Sequence, residues 1–128
     1  PRQMVTETGA VEIPRAADGH YYLQLEIDGQ AVMFLADTGA TNVVLSPEDA
    51  RRLGIDPAGL TYTGQAMTAN GMVRTARVRL NDVQRGPFRD DSLAVWVHEA
   101  EMDGSLLGVD YPGRFRIEIA RDRMVLRR

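Results

Sequence analysis

Cysteine is absent from this chain of 128 residues, which excludes thiol catalysis, disulfide bonds and thiolate metal sites. No apolar run approaches the length that spans a bilayer, and no signal peptide is visible. Charge of one sign is not in large excess, because the net charge is −3, and nothing suggests a nucleic-acid surface. With 44% hydrophobic and 26% charged residues, the composition is that of a soluble globular protein, and the length predicts one domain.

The ends of that domain differ in pattern. Residues 1–10 are polar and lack periodicity, so we expect a flexible N-terminal arm or the remnant of a linker. Residues 11–128 carry the strand patterns and form the predicted domain. The sequence starts at Pro1 without an initiator Met, so we expect an excised domain whose anchor, if it has one, lies elsewhere.

One carboxylate stands at the centre of the chain. Asp37, with Thr38 and Gly39, interrupts an apolar stretch that begins at Phe34 and resumes at Val43. A surface turn is one interpretation of Asp-Thr-Gly, but such turns do not need apolar flanks. A carboxylate sunk between apolar strands is costly unless it is hydrogen-bonded or shares a proton. We therefore interpret this loop as a site of acid–base chemistry.

The surrounding pattern predicts strands, hairpins and a short helix. Residues 20–27 and 31–36 alternate around the turn signal Asp28-Gly29, so the second strand delivers Asp37 to its end. Ser46 and Pro47 then suit the cap and first position of a two-turn helix. Near the C-terminus, residues 115–119 and 124–126 predict a terminal hairpin.

A second hairpin follows the helix. Residues 63–69 and 72–80 flank Asn70-Gly71, which is the strongest short hairpin signal. The pattern alone does not distinguish an ordinary surface hairpin from a hairpin that serves a functional site. Further on, Asn81-Asp82 and Gly86-Pro87 predict breaks between short strands.

The remaining polar residues show no cluster that favours another chemistry. His20 and His98 are isolated, so we interpret each as structural or exposed. Glu99, Glu101 and Asp103 form an acidic loop without the spacing of a calcium site, so we expect a solvated turn. We predict no metal and no cofactor.

The apolar-apolar-Ala-Asp37-Thr38-Gly39-Ala40 motif resembles the active-site loop of the aspartic proteases. In a chain this short it resembles the retropepsin branch, and most of all the bacterial group found as domains of membrane-anchored proteins. The resemblance runs from about His20 to Ala120, and includes Ser105-Leu106-Leu107-Gly108, which is similar to the family's apolar-apolar-Gly element. The family continues into a helix there, whereas this chain has Pro112-Gly113, so we expect a short or 3₁₀ segment.

The resemblance implies an all-β, retropepsin-like closed barrel with a flap hairpin and one or two short helices, and with the terminal hairpin at the edge of the barrel. It implies that Asp37, Thr38 and Gly39 are catalytic. Substrate would contact pocket residues of the loop and its neighbours, together with the flap tip. These substrate-binding residues would be Ala40, Val44, Leu106, Thr68, Ala69, Asn70 and Gly71. By the same resemblance the domain is a soluble part of a membrane-anchored bacterial protein, with the periplasm as one candidate compartment.

Two functions stay open at this point. A single Asp-Thr-Gly excludes a two-lobed pepsin-like enzyme, and the chemistry needs two carboxylates, so the enzyme would be a homodimer with one Asp37 from each subunit. It would be an aspartic endopeptidase whose partners are its own copy and a polypeptide substrate, with no nucleic acid and no membrane contact from this domain. The alternative is a non-catalytic module of the same fold, used for dimerisation or extended-peptide binding.

Overall fold

Eleven strands and two short helices make up the described part of the chain, which covers residues 4–5, 10–37, 42–85, 88–108, 116–120 and 122–127 of a computed structural model. The strands are β1 (Met4–Val5), β2 (Val11–Pro14), β3 (Tyr21–Ile27), β4 (Gln30–Asp37), β5 (Val43–Leu45), β6 (Gly64–Thr68), β7 (Gly71–Arg85), β8 (Phe88–His98), β9 (Ser105–Gly108), β10 (Arg116–Ala120) and β11 (Arg123–Arg127). The helices are α1 (Pro47–Arg52) and a 3₁₀ turn at Pro57–Gly59.

Six of the strands close into a barrel. They pair in the order β3, β4, β9, β5, β8, β7, and β7 pairs back onto β3 through Glu26–Gln84 and Ile27–Val83. Closure leaves the barrel wall without a free edge. The predicted all-β closed barrel with one or two short helices is confirmed.

Local turn chemistry sets the register of the first barrel hairpin. Asp28 and Gly29 have φ angles of 51° and 83°, which is the left-handed pair that a two-residue hairpin turn requires. Ile27 therefore pairs with Gln30, and Tyr21 pairs with Ala36 at the other end. Because side chains alternate along a strand, this register points one side of each strand into the barrel.

A single hydrophobic core fills the barrel and continues under the neighbouring sheet. Its fully buried large side chains come from six strands, namely β2, β3, β4, β5, β8 and β11. They are Phe34, Ile13, Leu23, Ile27, Leu45, Met124, Leu126, Val11, Val32, Val95 and Val97.

The terminal hairpin lies in a second sheet, with strand order β1, β2, β11, β10. The hairpin predicted at the edge of the barrel thus packs on the barrel's core but belongs to a separate sheet, so it does not extend the sheet of the barrel. Apolar alternation shows that β11 has a buried side, but not which strand it pairs with. Besides β10, its partner is β2, through Leu126–Val11 and Met124–Ile13, more than a hundred residues away in sequence.

Strand β7 continues through the predicted break at Asn81-Asp82. Asp82 has a φ of 52°, and its carbonyl accepts a hydrogen bond from the Asp28 N–H at 3.1 Å. The left-handed residue bends the strand without ending it, so that β7 pairs with β8 along one edge and with β3 at the other. The predicted turn at Gly86-Pro87 lies outside the described residues.

Two further predictions meet the limits of the described chain. The segment predicted to be a flexible arm contains β1, which pairs with β2 through Val5–Val11; the domain boundary itself stays a prediction. The short segment expected around Pro112-Gly113 lies outside the described residues.

Candidate active site

Asp37 stands at the last position of β4. Ala36, one residue earlier, faces the core, and the carboxylate residue is half-buried where the strand ends. Along one edge of β4, strand β9 runs parallel to it and places Gly108 opposite Asp37 and Leu107 opposite Ala36. The residue is thus held by a strand that is paired along both edges, since β3 covers the opposite edge of β4.

Strand β9 connects the end of β4 to β5, and we refer to β4, β9 and β5 together as the wall. It lies between β4 and β5, and pairs Leu106 with Val44. The Gly108 N–H donates to the Asn42 carbonyl at 3.0 Å, which ties the far end of the Asp37 loop to the same strand. Two of the predicted substrate-binding residues, Val44 and Leu106, are therefore side by side.

Helix α1 anchors β9 through buried hydroxyl groups. Ser46 caps the helix, and its hydroxyl accepts from the Asp49 N–H at 3.0 Å. The Ser105 hydroxyl accepts from the Ser46 N–H at 2.9 Å and donates to the Asp49 carboxylate at 2.7 Å. Because both serines are buried, these bonds satisfy groups that water does not reach.

The β6–β7 hairpin rises beside this wall. Thr68 pairs with Gly71, so its turn residues are Ala69 and Asn70, one position earlier than the Asn70-Gly71 turn predicted from sequence. The Thr68 hydroxyl accepts from the Asn70 N–H at 3.2 Å and donates to the Gly71 carbonyl at 2.7 Å. The Thr68 side chain therefore stabilises the turn, and the Asn70-Gly71 pattern does not reveal this contribution. Gly71 has a φ of 109°, which a side chain rarely permits.

Hairpin and wall border a cavity of about 670 Å³ that is open to solvent on one side. Five of the predicted substrate-binding residues line it, namely Val44, Leu106, Thr68, Ala69 and Asn70. Further lining comes from Asn42, Ala66, Met67, Val73, His98, Ala100, Glu101, Met102 and Asp103. Gly71 belongs to the same hairpin but is not part of the lining. Asp37 borders the wall and does not line this cavity, and Thr38, Gly39 and Ala40 lie outside the described residues.

Two residues of the acidic loop contribute to the cavity. Glu101 and Asp103 line the cavity, although both are exposed and were expected to form only a solvated turn. Glu101 forms an ion pair with Arg51 of α1 at 2.7 Å, which raises the pKa of that guanidinium. Within the described ranges, no group of three or more metal-binding side chains lies together.

His98 is the residue that sequence reasoning missed. It is 8% exposed and lines the cavity, whereas an isolated histidine at a strand end gave no such signal. Burial lowers the pKa of its imidazole below 6.5. Alternation would have pointed to it, because Val95 and Val97 face the core and residues 96 and 98 therefore face the other way.

Comparison with known proteins decides the family. The sequence profile of the aspartyl protease family matches residues 23–111. The chain belongs to the aspartyl protease family. A solved relative, the crystal structure of a retropepsin-like aspartic protease from Rickettsia conorii, has a TM-score of 0.82 and 35% identity, with 92% of this chain and 89% of that chain covered. The retropepsin-like fold is thereby confirmed.

Two further relatives of this aspartyl protease family member are known by sequence. The uncharacterized protein RP867 of Rickettsia prowazekii (strain Madrid E) is 37% identical over 123 residues, which are 94% of this chain and 52% of that protein. An uncharacterized protein in the cobV 5′ region of Sinorhizobium sp is 35% identical over 102 residues, which are 79% of this chain and 44% of that protein. The chain thus spans about half the length of these two relatives. None of its described helices is long and apolar enough to cross a bilayer.

Proposed function

We propose that this domain is a homodimeric aspartic endopeptidase in which two Asp37 carboxylates activate the water that hydrolyses a peptide bond. The observation that carries the proposal is the position of Asp37. It ends a strand paired on both edges, opposite Gly108, next to a wall that borders a cavity covered by a hairpin. Membership of the aspartyl protease family supports the same chemistry.

Two carboxylates are needed because the reaction moves two protons. One ionised carboxylate takes a proton from water, and the oxygen attacks the scissile carbonyl carbon, while the protonated carboxyl gives its proton to the carbonyl oxygen. The tetrahedral diol then collapses. The carboxyl that took the proton from water gives it to the amide nitrogen, one diol hydroxyl returns its proton to the other carboxylate, and the C–N bond breaks so that the amine leaves. Like charges at such short range cannot both ionise, so the pair shares one proton. Activity is therefore expected to fall at high pH, where both carboxyl groups ionise.

One chain supplies one such aspartate, which is why we propose the dimer. The two Asp37 residues would meet at a two-fold axis. Thr38 would bond the opposite loop, and Gly39 and Ala40 would contact the substrate backbone and side chain. These three roles rest on the family motif.

The β6–β7 hairpin would act as the flap. Thr68, Ala69, Asn70 and Gly71 would close over an extended polypeptide and exclude water during the reaction. Val44 and Leu106 lie together in the wall and would form an apolar pocket. The substrate is thus proposed to present an apolar side chain next to the scissile bond.

The second candidate is a non-catalytic module that binds an extended peptide or dimerises. The same cavity and hairpin would serve it, since a fold does not fix a function. The Asp37 position favours the enzyme, because a binding module has no need for a half-buried carboxylate in a family motif for hydrolysis.

Cleavage of an unfolded protein by wild type and Asp37→Asn separates these candidates. We expect at least about a 100-fold loss in the variant, since an acid–base group typically contributes this much. Asp91→Asn is the matched control, because the Asp91 side chain is 96% exposed. At low concentration, wild-type activity should rise faster than linearly with protein concentration. Absence of cleavage by a chain shown to be dimeric would favour the binding module.

A membrane-anchored bacterial parent protein and a periplasmic location also remain proposals. Their support is the resemblance to the bacterial group together with the greater length of the relatives. Fractionation of the full-length protein from its cell tests both.

A further inference from the structure

Two polar side chains with little exposed surface lie side by side at the base of the β6–β7 hairpin. Thr75 of β7 is 4% exposed and His98 of β8 is 8% exposed, and the two residues are paired across the strands. Neither side chain makes a hydrogen bond or ion pair with any described residue. The other buried polar residues, Ser46 and Ser105, are both hydrogen-bonded. The polar atoms of both side chains are not sealed from solvent, so a ligand that enters the site can form hydrogen bonds with them.

A small cavity of about 170 Å³ opens onto both side chains. The rest of its lining is uncharged, and consists of Asn42, Val44, Gly64, Gln65, Ala66 and Trp96. Since a water molecule takes about 30 Å³ of liquid, the space accommodates several heavy atoms. It is therefore large enough for a side chain.

The small cavity is continuous with the larger one. Asn42, Val44, Ala66 and His98 line both, so a side chain of a peptide in the larger cavity can enter the smaller. Trp96 and Val44 are paired on neighbouring strands and form its apolar floor. The hairpin contributes Gly64 and Ala66, whose small size leaves the space open. At Gly64, an added Cβ would come within 2.5 Å of the Thr75 hydroxyl oxygen and would close it.

The chemistry of the lining selects what can enter. A neutral imidazole offers one donor and one acceptor, and the Thr75 hydroxyl offers both. The lining contains no Lys, Arg, Asp or Glu, so a charged side chain would lose its hydration without gaining a counter-ion. An aliphatic side chain would leave the imidazole and the hydroxyl unpaired. A carboxamide supplies both a donor and an acceptor and carries no charge.

We propose that Thr75 and His98 form a specificity subsite that selects an Asn or Gln side chain of the polypeptide substrate. This inference rests on the proposed function, since it places that substrate in the larger cavity. It adds a polar subsite next to the apolar pocket of Val44 and Leu106.

Matched peptides that differ at one position, Gln against Leu, test the subsite by kcat/KM. Wild type should prefer Gln at one position by at least about tenfold, because a site built for hydrogen bonds rejects an analogue that lacks them. His98→Leu should abolish or reverse that preference. Thr75→Val should weaken the preference, and His98→Gln should retain it. His20→Leu is the control, since the His20 side chain is 61% exposed.

An unchanged Gln preference in His98→Leu would overturn the subsite, as would a wild-type preference for Lys or Glu at that position. Preference for Lys would point instead to Glu101 and Asp103 on the larger cavity.

A binding measurement keeps the inference testable without cleavage. The chain has only His20 and His98, so imidazole nitrogen NMR signals are simple to assign. Titration of the Asp37→Asn variant with the Gln peptide should shift the His98 nitrogens and leave those of His20 in place. The Leu peptide should not produce that shift. If peptides bind and His98 does not respond, the subsite is wrong and the peptide cleft stands. If no peptide binds and wild type cleaves none, the proposed function fails as well.

Discussion

The barrel wall and the β6–β7 hairpin build opposite sides of the same cavity with different degrees of support. In the wall, β9 is paired along both edges, with β4 and with β5, and its Leu107 faces the core. Within the described residues, β6 is paired only with β7, and Met67 and Met72, paired across the hairpin, are 75% and 55% exposed. The wall can therefore hold a group in place, whereas the hairpin can move without disturbing the core.

This difference explains how one small domain could combine precise chemistry with substrate entry. Positioning of a reacting group requires a rigid support, and closure over a substrate requires a segment of low local stability. Asp37 belongs to the first region, and residues 68–71 belong to the second. Substitutions in the wall should thus destabilise the whole domain, and substitutions in the hairpin should act locally.

The largest effect is expected from Phe34→Ala in the wall. Phe34 is 0% exposed and lies on β4 three residues before Asp37. Loss of the ring should lower the free energy of unfolding by about 3–5 kcal/mol, because a buried cavity remains. Denaturant unfolding measures it. Met33→Ala is the control, because Met33 is the preceding residue and is 50% exposed; it should change stability by no more than about 0.5 kcal/mol. Equal effects of the two substitutions would contradict the wall's role.

A smaller effect is expected from Ser105→Ala at the contact between α1 and β9. The substitution removes the acceptor of the Ser46 N–H and the donor to Asp49. A buried group left unpaired costs about 1–3 kcal/mol, so the free energy of unfolding should fall by that amount. Ser92→Ala is the control, since Ser92 accepts one exposed bond from Arg79. A cost for Ser105 no larger than for Ser92 would show that α1 does not stabilise β9 through these bonds.

Local patterns predicted the elements on which the candidate site depends. Asp28-Gly29, Ser46-Pro47 and Asn70-Gly71 act within a few residues, so turn and cap chemistry places two hairpins and the helix. The position of Asp37 at a strand end followed from the first of these. Family resemblance supplied the barrel, which periodicity alone does not specify.

What the sequence did not reveal depends on contacts between distant residues. Pairing of β11 with β2, and the bend of β7 at Asp82, follow from which strands meet in the closed fold. Alternation indicates the side of β8 on which His98 lies, but its burial could not be read from the sequence, because that burial comes from β7 and the base of the hairpin. The sequence also does not fix a strand register to within one residue. Thr68 pairs with Gly71, so the turn consists of Ala69 and Asn70 instead of the predicted Asn70 and Gly71.

A still smaller global effect is expected from Gly71→Ala in the hairpin. The space around a new Cβ is open, so the cost comes from the φ of 109° and should be about 1–2 kcal/mol. Because β6 has one partner strand, the hairpin tip should open before the barrel does. Amide hydrogen exchange should then accelerate at residues 66–72 and stay unchanged in β4 and β9. Gly104→Ala is the control, since it has open space and no positive φ. Faster exchange throughout the barrel would contradict the separation of the two regions.

The smallest effect involves a single proton on His98, where wall and hairpin meet. Burial lowers the pKa of the folded imidazole below 6.5, the value of the unfolded chain, so the unfolded state binds more protons at acidic pH. Stability is then fully present above pH 6.5 and declines as pH falls below it. The unfolding free energy of wild type should drop more steeply from pH 7.5 to 5 than that of His98→Gln, which cannot titrate. Parallel pH profiles would mean that the imidazole charges as readily in the fold as in water, and that the hairpin base admits water freely. A steeper wild-type profile would show that the fold shields the imidazole of His98 from water. A side chain that selects a substrate group by hydrogen bonding requires such shielding.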